Sequence, residues 1–169
     1  MHYNKIRKMD IADGPGVRVS IFMQGCTFQC KNCFNPETHD FAGGKEFTQE
    51  TINRVLELCD HDYIEGLSIL GGEPMHPSNI AGTTQLAKAF KEKFPKKTLW
   101  MWTGFVFNPE LAKKEVFNYV DVLVDGQYVD ELHDPTLKWK GSSNQRVIDI
   151  KKTIQKQKEG NNEAWVEFK

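Results

Sequence analysis

Val17-Arg18-Val19-Ser20-Ile21-Phe22-Met23-Gln24-Gly25-Cys26-Thr27-Phe28-Gln29-Cys30-Lys31-Asn32-Cys33 decides how this chain is read. Val17, Val19, Ile21 and Met23 alternate with Arg18, Ser20 and Phe22, the period of two expected of a β-strand. Three cysteines follow the strand at the spacing C-x3-C-x2-C. Three such thiolates can hold three irons of a four-iron cluster and leave the fourth without a protein ligand. A metal with an open position is set up for chemistry, whereas a fully ligated one is structural or carries electrons. A zinc site completed by His39 or His61 would use the same thiols, since Cys3His is a common structural set. Against zinc, the cysteines lie in one loop with no second knuckle pair, and a ferredoxin-type run would need a fourth cysteine nearby.

Outward from that segment, strand and helix signals alternate. Thr48 to Asp60 reads as a helix with Ile52, Val55, Leu56 and Cys59 on one stripe, which makes Cys59 a buried core residue. Ile64 to Leu70 is a second strand ending at Gly71-Gly72-Glu73-Pro74. Ser78 to Phe94 is a helix with Ser78 as a candidate cap and Leu86, Ala89 and Phe90 on one face. Thr98 to Thr103 is a third strand, and Asn108-Pro109-Glu110 has the cap-then-proline form of a helix start. Val120 to Val124 is a fourth strand ending in Asp125-Gly126, and Arg146 to Ile150 a fifth. This alternation predicts an α/β fold with a mostly parallel sheet. At 169 residues the chain is short of the ~250 typical of a closed eight-stranded barrel, so a partial, open βα barrel is expected. One domain covers 1–169, with its core over about 5–150 and a charged, poorly packed segment at 151–169.

The unusual residues fall at strand C-termini: the cysteines after the first, Gly-Gly-Glu-Pro after the second, Thr103-Gly104 after the third and Asp125-Gly126 after the fourth. In parallel α/β sheets that edge is where ligands bind. Paired glycines let a ligand approach the main chain, and Glu73 offers an acceptor for an ammonium group. Taken alone, Gly71 to Pro74 is equally an ordinary strand-to-helix turn. Asp13-Gly14-Pro15-Gly16 alone is a turn, Arg18 a solvated or paired strand residue, and Asp125 a helix cap or a cation ligand.

A formal net charge of -1 with mixed signs argues against a nucleic-acid surface. No apolar run is long enough to span a bilayer, and Met1 to Lys5 lead into polar sequence without a signal-peptide core. The expectation is a cytoplasmic protein, where clustered reduced thiols more often bind metal than pair.

Cys26-x3-Cys30-x2-Cys33 together with Gly71-Gly72-Glu73-Pro74 resembles the radical S-adenosylmethionine superfamily. Asp13-Gly14-Pro15-Gly16-Val17-Arg18, shortly before Gly25-Cys26, resembles its branch that activates glycyl radical enzymes. The small size, Trp102-Thr103-Gly104, Asp121 to Gly126 and Gly141-Ser142-Ser143-Asn144-Gln145-Arg146 are similar to the activators of anaerobic (class III) ribonucleoside-triphosphate reductase. The resemblance runs from about Lys5 to Ile150.

It implies a radical SAM fold and a [4Fe-4S] cluster on Cys26, Cys30 and Cys33, whose open iron binds S-adenosylmethionine. Glu73 and the Gly71-Gly72 backbone would hold the methionine end, and the main chain of Asn32, Cys33 and Phe34 would face the adenosine. Thr103 and Asp125 are further candidates, and Asp13, Gly14, Gly16 and Arg18 would meet the partner's glycine loop. A flavodoxin or similar donor would supply one electron, and the resulting 5'-deoxyadenosyl radical would take hydrogen from a glycine of the reductase. An activator of pyruvate formate-lyase or another glycyl radical enzyme is the alternative within this chemistry; a zinc-stabilised, non-catalytic binding module is the alternative outside it. Asn32 stands where many superfamily members carry an aromatic residue. Only Cys59 remains beyond the three cysteines, too few for the extra clusters of longer activases. Homolysis needs no general base, so His2, His39, His61, His76 and His133 receive no role, with His76 the one nearest a motif.

Overall fold

The strand after the Asp13 turn is buried along its whole length, Arg18 to Gln24, so its alternation separates two interiors rather than core from solvent. The computed structural model describes all 169 residues, Met1–Lys169. Its strands are β1 (His2–Asp10), β2 (Arg18–Gln24), β3 (Lys45–Glu46), β4 (Gly66–Gly71), β5 (Thr98–Trp102), β6 (Val122–Asp125) and β7 (Arg146–Asp149). The helices are α1 (Gln49–Cys59), α2 (Ile80–Lys93) and α3 (Ile150–Lys158). One sheet runs β3-β1-β2-β4-β5-β6-β7. β2, β4, β5 and β6 are parallel, while β1, β3 and β7 join antiparallel at the two sides.

Val19, Ile21 and Met23 of β2 pack with Leu67, Ile69, Leu99 and Met101 against Val55 of α1 and Leu86 and Phe90 of α2. Cys59 lies in the same core, 0% exposed, as its position on the apolar stripe predicts. On the other face Trp100, Val122, Val124 and Val147 pack with Trp102, Trp139 and Phe168. Because strands in a parallel arrangement all point one way, the segments after β2, β4, β5 and β6 emerge on one rim.

Several expectations shift. β1 was not legible because it is half-exposed and rich in Lys, Arg and Asn, with no apolar alternation. The N-cap of α2 is Asn79, not Ser78. Asn108 does cap, its Oδ1 accepting the Leu111 N–H at 2.8 Å, but Lys114 turns extended and only two 3-10 turns form, Leu111–Lys113 and Glu115–Asn118. The terminal segment is mostly exposed, as its charge implies, but it is tied to the sheet. α3 is capped by the Asp149 carboxylate, Thr153 is fully buried, and the Phe168 N–H donates to the Val147 carbonyl at 2.9 Å. Phe168 then meets Trp100 edge-on at 5.0 Å between centroids. Its apolar residues are few among lysines and glutamates, so composition hid the packing. No helix is long and apolar enough to cross a membrane.

Candidate cofactor site

The rim at the ends of the parallel strands opens into a cavity of about 590 Å³ lined by Cys26, Cys30, Cys33, Gly71, Gly72 and Glu73. Thr103 and Gly104 line it from the end of β5, and Asp13 and Arg7 also line it. Sequence motifs separated by some forty residues therefore meet in one space.

The cysteine loop gets its shape from two non-glycine residues with left-handed backbone, Gln29 (φ 47°) and Asn32 (φ 56°). These reversals fold C-x3-C-x2-C so that all three cysteines line the cavity. Backbone N–H groups approach them: Asn35 donates to Cys33 Sγ at 3.4 Å, Phe28 and Gln29 to Cys26, and Tyr128 to Cys30. Burial pushes the Cys26 and Cys30 thiols up, and these N–H donors act in the opposite direction. Donors aimed at sulfur suit a group whose sulfur atoms carry negative charge. No three His, Cys, Asp or Glu side chains converge closely enough to grip a single ion. His39 lines the cavity. His61 does not; it stacks on Tyr63 at 5.2 Å. Three thiols around a shared space fit a multi-iron cluster better than a mononuclear Cys3His site.

The Gly-Gly-Glu turn is stitched to the start of the cysteine loop by main-chain bonds. The Gly72 N–H donates to Met23 O at 2.9 Å and the Glu73 N–H to Gly25 O at 2.8 Å. Buried Asn79 ties both sides, its Nδ2 donating to Gln24 O at 3.1 Å and to Glu73 O at 3.0 Å. Gly72 must be glycine, since a Cβ there would lie 2.5 Å from Gly25 O. Gly71 sits at φ 111°, where L side chains are strained. The Glu73 carboxylate, 1% exposed, accepts from the Gly104 N–H at 2.6 Å, the Met75 N–H at 2.8 Å and Thr103 Oγ1 at 2.8 Å. Burial pushes its pKa to about 7 despite these three donors. Glu73 thus straps the end of β4 to the turn after β5, and Thr103 serves the strap.

Other residues singled out in the sequence fall elsewhere. Asn32 is exposed and donates to Asp130 Oδ2 at 2.9 Å, while Phe34 lines the cavity against Tyr128. Of the Asp13 turn, only Asp13 reaches the cavity. Gly14 and Gly16 keep space for the Arg18 and Glu65 side chains. Arg18 is not solvated; it is 0% exposed, its guanidinium donating to Ser68 Oγ, Leu67 O, Thr98 O and Thr98 Oγ1. Asp125 does not line the cavity. Its carboxylate is held by Arg146 at 2.6 Å and by the Phe107 N–H at 2.7 Å, which leaves it neither cap nor free cation ligand. His76 accepts from the Ser78 N–H at 3.1 Å and packs on Phe41, outside the cavity.

Sequence reasoning missed Arg7, Tyr128, Trp139 and the stretch 133–141, which wall the cavity. Only Trp102, adjacent to Thr103 at a strand end, carried a positional signal. It also missed the carboxyl pair behind Asp13. Burial, then a hydrogen bond shared with Asp10, pushes Asp13 to about 7. Burial also acts to raise Asp10, but bonds from Asp13, Ser20 and Ala12 outweigh it and hold that group below the usual range.

Comparison with known proteins agrees with this geometry. Residues 12–148 match the model of a 4Fe-4S single cluster domain. Curated relatives include the anaerobic ribonucleoside-triphosphate reductase-activating proteins of Vibrio cholerae (39% identical over 151 residues) and Enterobacteria phage T4 (38% over 148). The protein of that name from Escherichia coli K12 is 35% identical over 150 residues. Each alignment covers 87% of this chain, and 97%, 93% and 97% of the respective relative. On both grounds, the chain belongs to the family of anaerobic ribonucleoside-triphosphate reductase-activating proteins, built on a 4Fe-4S single cluster domain.

Proposed function

We propose that this chain is an activating enzyme that uses a [4Fe-4S] cluster and S-adenosylmethionine to generate a glycyl radical on anaerobic ribonucleoside-triphosphate reductase. The observation that carries the reading is the stitching of the Gly72-Glu73 turn onto the cysteine loop through Met23 O and Gly25 O, both motifs facing one cavity. The open sheet with four parallel strands is in keeping with a partial βα barrel of the radical SAM type.

Cys26, Cys30 and Cys33 would hold the cluster and leave one iron open. Bound there, cluster and S-adenosylmethionine supply one-electron cleavage of the sulfonium, giving methionine and a 5'-deoxyadenosyl radical that takes hydrogen from the target glycine. The chain's own part is positioning and exclusion of water. The side-chain-free Gly71-Gly72 backbone gives the amino-acid end of the ligand close access. Glu73 and Thr103 hold the adjoining turn rigid beside that backbone. Phe28, backed edge-on by Phe105 at 5.1 Å, and Trp102 with Trp139 make parts of the wall apolar. Asp13 and Arg7 line the cavity, and the reductase's glycine loop would enter beside Asp13. A flavodoxin or similar protein would provide the electron.

The test is anaerobic reconstitution with iron and sulfide, reduction, and addition of S-adenosylmethionine with and without the reductase. 5'-Deoxyadenosine and a glycyl radical signal on the reductase are expected. A sample that binds one zinc and no iron would sink the proposal, and activation of pyruvate formate-lyase in place of the reductase would redirect it.

A further inference from the structure

One buried side-chain polar atom in the protein has no hydrogen-bond partner: Nε2 of His39. Leaving such an atom unpaired is unfavourable, so its position calls for a partner. His39 lines the same cavity as the three cysteines and Gly72. Its main chain is fixed against the cysteine loop, its carbonyl accepting the Cys26 N–H at 3.2 Å and its own N–H donating to Pro36 O at 3.2 Å. The preceding Thr38 carbonyl accepts the Gly25 N–H at 2.6 Å. The backbone that carries the ring is therefore anchored beside the first cysteine.

Resting on the cluster reading above, we propose that His39 Nε2–H donates a hydrogen bond to a sulfur of the cluster held by Cys26, Cys30 and Cys33, and thereby raises its reduction potential. Cluster sulfides and thiolates accept hydrogen bonds, and a donor to sulfur favours the reduced, more negative state. Three backbone segments already point N–H groups at these cysteines, so His39 would be the one side-chain donor among main-chain donors. A side chain can be exchanged, which makes the effect measurable.

The experiment uses full-length protein labelled with 15N-histidine, reconstituted with iron and sulfide and reduced without S-adenosylmethionine. Pulsed EPR should show a weak 15N coupling to the cluster spin that disappears in His39→Phe. Redox titration followed by EPR should move the midpoint of His39→Phe to more negative potential, with His39→Gln, which keeps an N–H donor, returning toward wild type. A fully loaded cluster without histidine coupling would overturn the proposal, as would coupling that survives in His39→Phe. A strong coupling of the size of direct iron–nitrogen ligation would overturn it too, making His39 a ligand. If His39→Phe fails to fold or load, the wild-type coupling and the His39→Gln midpoint still decide. Iron and sulfide analysis of the same sample separates this from the function reading: no four-iron cluster in the wild type defeats both, whereas a cluster without the coupling defeats only the role of His39.

Discussion

The Glu73 turn and the cysteine loop border the same cavity but are built in opposite ways. Glu73 is 1% exposed, its carboxylate takes three donors, and its backbone is pinned by Gly25 and Asn79. The cysteine loop is held by main-chain turns and surface contacts: Asn32 to Asp130 and Lys31 to Glu131, the latter at 3.9 Å between side chains more than 70% exposed. Two of its residues sit in left-handed conformations without being glycine. One half is finished by the protein; the other presents ligands to be finished by something bound. The first half should govern stability, and the second metal content.

The strongest contrast comes from Cys30→Ala. Iron loading should fall by more than the roughly 10–100-fold seen when only an outer partner of a metal site is lost. The unfolding free energy of the metal-free protein should change by about 1 kcal/mol or less. Iron analysis and urea denaturation check the two parts. Glu73→Ala should do the reverse to stability, stranding the Gly104 and Met75 N–H groups and the Thr103 hydroxyl. At about 1–3 kcal/mol per unpaired buried donor, a loss of at least about 3 kcal/mol is expected by urea denaturation. A loss below about 1 kcal/mol would break the comparison.

Asn79→Ala removes both bonds that tie the two halves and should cost about 2 kcal/mol. pH offers a gentler probe. Glu73 and Asp13 are both pushed up to about 7. Between the unfolded value near 4 and about 7, the folded protein then binds more protons than the unfolded chain. Stability of the metal-free protein should therefore fall as pH rises through that window, and Asp13→Asn should flatten part of the slope in thermal melts. The smallest effect is Asn32→Ala, whose exposed bond to Asp130 should be worth less than about 1 kcal/mol.

Much of the site was legible because its chemistry is written in residue types that have few other uses. Cys26, Cys30 and Cys33 at fixed spacing and two glycines before Glu73 mark a ligand-facing rim, and period-two strands place that rim. Cys59 was readable as core from helical spacing alone. The rest was hidden for physical reasons. β1 is a half-exposed outer strand whose pairing, not its polarity, makes it a strand. Arg18 read as solvated or paired because nothing local reveals that a second interior, roofed by Trp100, lies on that face of β2. The pairing of Asp125 with Arg146 joins residues on antiparallel β6 and β7, and two of the three donors to Glu73 come from a turn some thirty residues away. Such partners are set by topology, which no local pattern encodes.

The central claim is that cysteine loop and Gly-Gly-Glu turn form a single cofactor site. The most direct measurement is the EPR spectrum of the reduced, reconstituted protein before and after S-adenosylmethionine, with Cys30→Ala as control. The account predicts a four-iron signal in the wild type that S-adenosylmethionine visibly alters, and no such signal in the variant. A fully loaded wild-type cluster whose spectrum is unchanged by saturating S-adenosylmethionine would contradict it.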